Sequence, residues 1–374
     1  MKSEFNCPIC SSNAWNTFQR FHYSRDEKPC LDTNKGEHRE RKASWISRIG
    51  KGMERGLRIV GTHEPKREVL SVPGSSLTPY ASKRRRVLFD LWFPGESEIV
   101  LEAIYCSRCG FVCYRPRPEE ADMRAKYEYL HDLARSKHGK REKKSPSYAE
   151  RMLDLKRANR ILKLVKNWSD KSQLSVLDYG GGDGRVLLPF LEEGHDCFLV
   201  DFDKEQVPGV KKIADVLQGI PKDSVFDSII CSHVLEHLTD PLGLLQELRN
   251  LLSRNGLVYA EVPNEIWAGI PIKVEPITHC NFFSLQTFKT LFARAEFEIL
   301  DFRKIISNYG KNFKENIWIL AKKTEDEVII SDYESCLDSE SLLFPTKSMN
   351  LKRELIQRFY LPFLKAFYQK LYCT

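Results

Sequence analysis

Between residues 148 and 323, short apolar runs alternate with amphipathic stretches. Leu174–Tyr179 (LSVLDY) has the length and composition of a buried strand, and it is followed by a glycine turn and a helical Arg185–Glu193. Cys197–Val200, the short Lys211–Ala214, Phe226–Cys231 (FDSIIC) and Leu257–Val262 predict four further strands. Asp240-Pro241 opens a helix running to about Ser253, with proline in the first turn, and Asn255-Gly256 closes it. Phe297–Phe302 and Asn316–Lys322 predict a last pair of strands. Strands that alternate with helices imply an α/β fold: a mostly parallel, doubly wound sheet covered on both faces.

The rest of the chain is patterned differently. Residues 1–118 open and close on cysteine pairs with a weakly periodic segment between them, residues 119–147 have a polar helical pattern and read as a linker, and residues 324–374 form a tail. The tail ends in Leu351–Tyr372, where apolar and aromatic positions recur at helical spacing among Lys and Arg, interrupted by Pro362. That pattern suits a helix docked on the domain or on a second copy, or a peripheral contact with a membrane surface.

With 374 residues, the chain is long enough for two or three domains. No apolar segment follows the N-terminus as in a secretory leader, and no run of apolar residues is long enough to span a bilayer. Eleven cysteines without a leader point to a reducing compartment, the cytoplasm, where CxxC pairs are metal knuckles rather than disulfides. The net charge is +7, and Arg39–Arg86 alone carries thirteen Lys and Arg against four Glu, a local +9. Such a stretch is either a solvated insertion or a surface for phosphates.

Candidate chemistry sits at the first strand-to-helix turn. Asp178-Tyr-Gly180-Gly-Gly182-Asp-Gly184 differs in spacing from the G-x-G-x-x-G dinucleotide fingerprint. Its glycines permit a sharp turn and close approach to a ligand, and the helix that follows offers free N–H groups. Asp178 can face a ligand ammonium. Asp201, closing the next strand, can accept two ribose hydroxyls.

With these residues the chain resembles the class I S-adenosylmethionine-dependent methyltransferases. The resemblance rests on LSVLDYGGGDGRVL, FLVDFD, FDSIICSHVLEHLTDPLGLLQELRNLLSRNGLVYAEVPN and HCNFFSLQTFKTLFARAEFEIL. It implies a Rossmann-like domain over Tyr148–Lys323 that binds S-adenosylmethionine. Asp178, Gly180 and Gly182 would face the methionine part, Asp201 the ribose and Asp215 the adenine, while Ser232 and His233 would line the methyl side. His279 lies in a segment similar to the substrate-facing lid of such enzymes, with Trp267, Phe282 and Phe283 as candidate walls of an acceptor pocket. His279 and His233 are the candidate bases, His279 preferred.

His233-Val-Leu-Glu236-His237 would place three polar groups on one helical face, a metal-ligand spacing. The segment is similar to that of ubiquinone-pathway O-methyltransferases, which have an acidic residue where His233 stands and can hold a divalent ion there. Glu236 and His237 also suit a polar helix start packed beneath the pocket.

Cys7-Pro-Ile-Cys10 and Cys106-Ser-Arg-Cys109 supply four thiolates, a structural zinc set. Ninety-five residues separate the pairs, but loop closure costs little more for a long insertion than a short one. YCSRCGFVCYRPRP resembles the second knuckle of the zinc ribbon preceding many bacterial methyltransferases of small molecules and glycans, which implies a small zinc-ribbon-like N-terminal domain. The implied activity is O-methylation of a small molecule or glycan. A competing class is a nucleic-acid-associated protein using the ribbon and the basic segment. No aromatic-interleaved basic strand and no N/D-P-P-Y/F motif favours it, so nucleic acid is not the expected partner. The acceptor and the oligomeric state are not legible in the sequence.

Overall fold

The computed structural model describes residues 4–25, 69–71, 83–138, 148–202, 205–266, 277–309 and 312–325. Most of the basic segment and the amphipathic stretch Leu351–Tyr372 lie outside the described residues. The chain forms two compact units, one of Met1–Asn16 with Ile104–Thr374 and the other of Thr17–Ala103. In the smaller unit, β1 (Trp15–Ser24) runs parallel to β2 (Val69–Ser71), with Arg20 opposite Val69. A helical turn over Arg86–Trp92 buries Val87, Leu88, Phe89 and Trp92. It is tied down by Arg25, which donates to Phe89 O and pairs with Asp90 at 3.3 Å. β3 (Glu98–Cys106) carries Glu102, paired with Arg20 at 2.8 Å.

The larger unit is built on a seven-stranded sheet in the order β11-β12-β9-β8-β5-β6-β7. Its strands are β5 (Ser175–Tyr179), β6 (Asp196–Val200), β7 (Lys211–Ala214), β8 (Phe226–Ser232), β9 (Leu252–Pro263), β11 (Phe297–Tyr309) and β12 (Asn312–Lys323). β5 to β9 are mutually parallel; β12 is antiparallel to both β9 and β11. Alternate strand residues feed two cores, as period-two geometry requires. Val176, Leu199, Ile230, Tyr259 and Leu320 pack against Ile161, Leu162 and Val165 of α2 (Tyr148–Trp168) and against Phe190 of α3 (Leu188–Glu192). Leu177, Val200, Ile229, Val258 and Ile319 pack with Leu245 and Leu248 of α4 (Pro241–Asn250) and with Phe288, Leu291 and Phe292 of α5 (Leu285–Arg294). This is the expected doubly wound, mostly parallel sheet. β5 lies between β6 and β8, so the connections diverge at its carboxyl end and open a ligand crevice there.

Boundaries moved for local reasons. The expected helix Arg185–Glu193 is a tight turn over Arg185–Leu187 followed by α3, with Pro189 in the first turn of α3. Helix α4, capped by Asp240 accepting from Gly243 N at 2.9 Å, stops at Asn250 because Leu252 already pairs with Phe226. α1 (Glu120–His138) supplies the helical pattern expected after residue 118.

β4 (Val112–Arg115) pairs antiparallel with β10 (Asn281–Phe282) within the larger unit. Ile9, Ile104 and Phe111, flanking the knuckles, share a core with Val262, Phe283 and Phe288. Apolar surface beside the cysteines thus joins them to the sheet. No helix among the described residues is long and apolar enough to cross a membrane.

Candidate active site and cysteine cluster

At the crevice, the glycine turn is fixed by Gly180 N donating to Val200 O at 2.8 Å and Gly184 N to Gly181 O at 3.1 Å. Gly182 has φ +63 and open space where a side chain would start, so the backbone itself faces the crevice. A Cβ on Gly181 would lie 2.1 Å from Asp178 Oδ2, so only glycine allows the turn to close over that carboxyl group. Asp201, beyond β6, accepts from Gly182 N at 2.8 Å through Oδ2. Asp178 is buried, and Oδ2 has no hydrogen-bond donor among the described residues. Burial raises its pKa to about 7 against the opposing charge of Arg157, with Asp201 and Asp183 adding to the rise. An orphaned buried carboxyl beside an open glycine backbone fits a cationic ligand that also presents hydroxyls. Asp215, just past β7, is exposed and paired with Lys212; Ser232 ends β8.

Ser232 leads to a network that the sequence reading missed. Its hydroxyl accepts from Arg157 Nη2. Glu261, fully buried in β9 opposite Ser232, accepts from Arg157 Nε at 3.3 Å, Arg160 Nη2 at 3.2 Å, Tyr259 Oη at 2.6 Å and Asn316 Nδ2 at 2.9 Å. Burial opposes its ionisation, but Arg157, His233 and Arg160 prevail and hold the pKa down to about 2. A glutamate inside the apolar run LVYAEVP was the available signal, since a buried strand tolerates a charge only when it is paired. Arg157 also places its guanidinium near Asp178.

The HVLEH segment is not the helical face expected from its spacing. His233 adopts a left-handed backbone, φ +58, and only Leu235–His237 form a turn. His233 instead lies between two buried carboxylates, with Nδ1 3.3 Å from Glu236 Oε1 and Nε2 3.9 Å from Glu261 Oε1. His279 joins Glu236 and His237: one donor atom from each lies within 4.8 Å of the others, a bis-imidazole–carboxylate group compatible with a divalent ion. The rings of His237 and His279 meet edge to face at 4.7 Å. Desolvation lowers the His237 pKa to about 4, against the pull of Glu236, so the ring is neutral at neutral pH. Glu236 is held at about 2 despite burial, by its hydrogen bond to His233 and the neighbouring imidazoles. Phe282 and Phe283 do not wall a pocket. Both are fully buried, Phe282 edge-on to Tyr114 and Phe283 against Phe111 and Phe288, because β10 pairs with β4 and turns them into the core. Trp267 lies outside the described residues.

The four cysteines Cys7, Cys10, Cys106 and Cys109 converge, all sulfurs within 4.8 Å. Cys7 Sγ is 3.5 Å from Cys109 Sγ, and Cys10 Sγ is 3.5 Å from Cys106 Sγ. A tetrahedral zinc with ~2.3 Å bonds separates its sulfurs by about 3.8 Å, so the donor set fits. The two knuckles repeat one backbone pattern. Cys7 N donates to Ser12 O and Ser11 N to Cys7 O, just as Cys106 N donates to Phe111 O and Gly110 N to Cys106 O. Both turns close on a left-handed residue, Ser11 at φ +60 and Gly110 at φ +73. Downstream, buried Arg117 donates to Leu238 O at 3.2 Å, Thr239 O at 2.7 Å and Asn281 Oδ1 at 2.7 Å, which ties the second knuckle to both loops of the histidine cluster.

The sheet order, the glycine turn and the acidic residues closing β5 and β6 now stand together, and residues 148–301 match the family described as Methyltransferase domain. This segment is a class I S-adenosylmethionine-dependent methyltransferase domain. Among curated relatives of the domain, the ubiquinone biosynthesis O-methyltransferase of Rickettsia felis is 24% identical over 115 residues, 28% of this chain and 47% of that protein. The tRNA 5-carboxymethoxyuridine methyltransferase of Escherichia coli is 28% identical over 102 residues, 23% of this chain and 39% of that protein. The chain thus spans about half or less of the length of the curated relatives it matches. Among solved structures, 1,6-didemethyltoxoflavin-N1-methyltransferase of Burkholderia thailandensis, with bound 1,6-didemethyltoxoflavin and S-adenosylhomocysteine, covers 57% of this chain and 95% of its own at 20% identity and a TM-score of 0.42.

Proposed function

We propose that the methyltransferase domain methylates a hydroxyl of a small molecule or glycan, using S-adenosylmethionine. The observation that carries this reading is the crevice at β5 and β6, where orphaned Asp178, open Gly182 and Asp201 converge. S-Adenosylmethionine supplies an electrophilic methyl on a sulfonium, so the protein has to bind, align and exclude water. In this reading Asp201 accepts the ribose hydroxyls, Asp178 faces the ammonium, Arg157 faces the carboxylate and Asp215 lies on the adenine side. Ser232 and His233 border the methyl, and His279 receives the acceptor proton. Replacing Asp201 with alanine is expected to weaken S-adenosylhomocysteine binding by about 2–4 kcal/mol, from hydrogen bonds to a charged acceptor. Unchanged affinity by calorimetry rejects the assignment.

Asp178 adds a pH signature. Its carboxyl titrates near 7 in the free protein, and a cofactor ammonium favours the ionised form. Affinity is therefore expected to rise about tenfold from pH 6 to pH 8, with proton release on binding around pH 6.5. Calorimetry in buffers of different ionisation heat measures that release; no release across this range excludes Asp178 from the ammonium subsite.

The four cysteines are proposed to hold one structural zinc. A second reading, methylation of RNA, is favoured by the +9 segment and by the tRNA methyltransferase among the relatives. Binding to a random oligonucleotide that weakens steeply with salt would support it.

A further inference from the structure

Two candidate bases were legible in the sequence, and the structure distinguishes them through a residue that was not. Glu265 follows β9, and its Oε2 lies 2.6 Å from His279 Nδ1, with both side chains buried. A carboxylate can only accept, so the shared hydrogen belongs to the imidazole, and in the neutral ring Nε2 carries the lone pair. The neighbouring Asn264 ties down the backbone at the strand end: its N donates to Glu315 O at 2.9 Å and its Nδ2 to Glu315 Oε2 at 2.8 Å. His237 is held in the matching form, Nδ1 donating to Thr278 O at 2.6 Å. His233 lies between two carboxylates, with Nδ1 3.3 Å from Glu236 Oε1 and Nε2 3.9 Å from Glu261 Oε1.

We propose that Glu265 is a positioning residue for the acceptor base: it fixes the His279 tautomer so that Nε2 takes the proton of a hydroxyl acceptor, and it faces the imidazolium that results. The inference rests on the methyl-transfer reading above. In the step, the acceptor O–H bond breaks and its proton passes to Nε2. The oxygen forms a bond to the methyl carbon, and the pair of the breaking S–C bond remains on sulfur. The products are a methyl ether, S-adenosylhomocysteine and an imidazolium that returns its proton to water. Among the described residues, Glu265 and the turn carrying Glu236 and His237 face His279, and Lys126 of α1 donates from Nζ to Ile277 O at 3.1 Å, two residues before it. A fixed tautomer with a carboxylate behind it is the arrangement that makes an imidazole an effective base.

The test uses the full chain, labelled with ¹⁵N-histidine and saturated with S-adenosylhomocysteine. Long-range ¹H–¹⁵N spectra are expected to show His279 protonated at Nδ1 in the native protein and in Glu265→Asp. In Glu265→Ala the Nε2-protonated form becomes the majority. Turnover with a hydroxyl acceptor taken from a glycan panel is expected to fall 10- to 100-fold in Glu265→Ala, to be restored largely by Glu265→Asp, and to leave S-adenosylhomocysteine affinity unchanged. Three results overturn the proposal: a native His279 protonated at Nε2, a tautomer that ignores Glu265→Ala, or turnover that requires an added divalent ion at the cluster. Failure of the native chain to bind S-adenosylhomocysteine would instead reject the methyl-transfer reading on which it rests.

Discussion

Substituting serine for Cys106 is expected to remove about one zinc per chain and to lower thermal stability by more than ten degrees. In the isolated case, structural zinc contributes about 10–16 kcal/mol of apparent folding free energy. Here the knuckles are not isolated: Cys7, Cys10, Cys106 and Cys109 sit in the core that also contains Val262 and Phe283. Part of the fold therefore survives without metal, and the expected loss is several kcal/mol rather than the full figure. In a domain of this size 1 kcal/mol corresponds to roughly 2–4 °C. The effect should reach the crevice, because β4 pairs with β10 and Arg117 holds Leu238, Thr239 and Asn281. Elemental analysis, X-ray absorption of the sulfur ligation and thermal unfolding with and without chelator measure it. A chain purified reduced, free of zinc and indifferent to Cys106→Ser would end the metal assignment.

The parallel sheet was legible because its central strands bury residues on both faces and so appear as short, mainly apolar runs between turns. Ser175–Tyr179, Asp196–Val200 and Phe226–Ser232 follow that rule to within a residue or two. The glycine turn was legible for a different reason. Backbone at positive φ selects glycine, as at Gly180, Gly182 and Gly184. Pairings between segments far apart in sequence were not legible. Nothing local says that Arg157 meets Glu261, that Glu265 meets His279, or that β4 and β10 lie side by side. HVLEH misled because spacing i, i+3, i+4 implies one face only if the backbone is helical, and the left-handed residue at His233 breaks that premise. Phe282 and Phe283 misled because an aromatic pair after a candidate catalytic histidine suits a pocket wall and a core equally well. The hydrogen bonds to β4 decide it, and they come from a strand 170 residues earlier.

Removing the Glu261 carboxylate is expected to destabilise the domain by about 3–5 kcal/mol at pH 7, the range for taking one partner from a buried ion pair. Arg157 and Arg160 would lose the carboxylate they share, and the Tyr259 hydroxyl beside them would lose its acceptor. Glu261→Gln is the cleaner variant, since the amide oxygen can still accept from Tyr259 Oη, so its deficit isolates the charge. The pH dependence separates this account from a packing defect. Glu261 ionises near 2 in the folded chain against an ordinary 4.5, so its contribution is fully present above about pH 4.5. That contribution, about 3 kcal/mol from the difference in pKa, is lost as pH falls toward 2, where the folded carboxylate takes up its proton. Urea unfolding of native protein and Glu261→Gln at pH 7, 4 and 3 should therefore show a gap that is widest at pH 7 and narrows in acid. Glu236, also held near 2, keeps the native protein acid-sensitive even in the variant, so both curves still fall. A gap of constant size from pH 7 to pH 3 would mean that shape, not charge, is what Glu261 contributes, and that the arginines beside the crevice do not depend on it for their place.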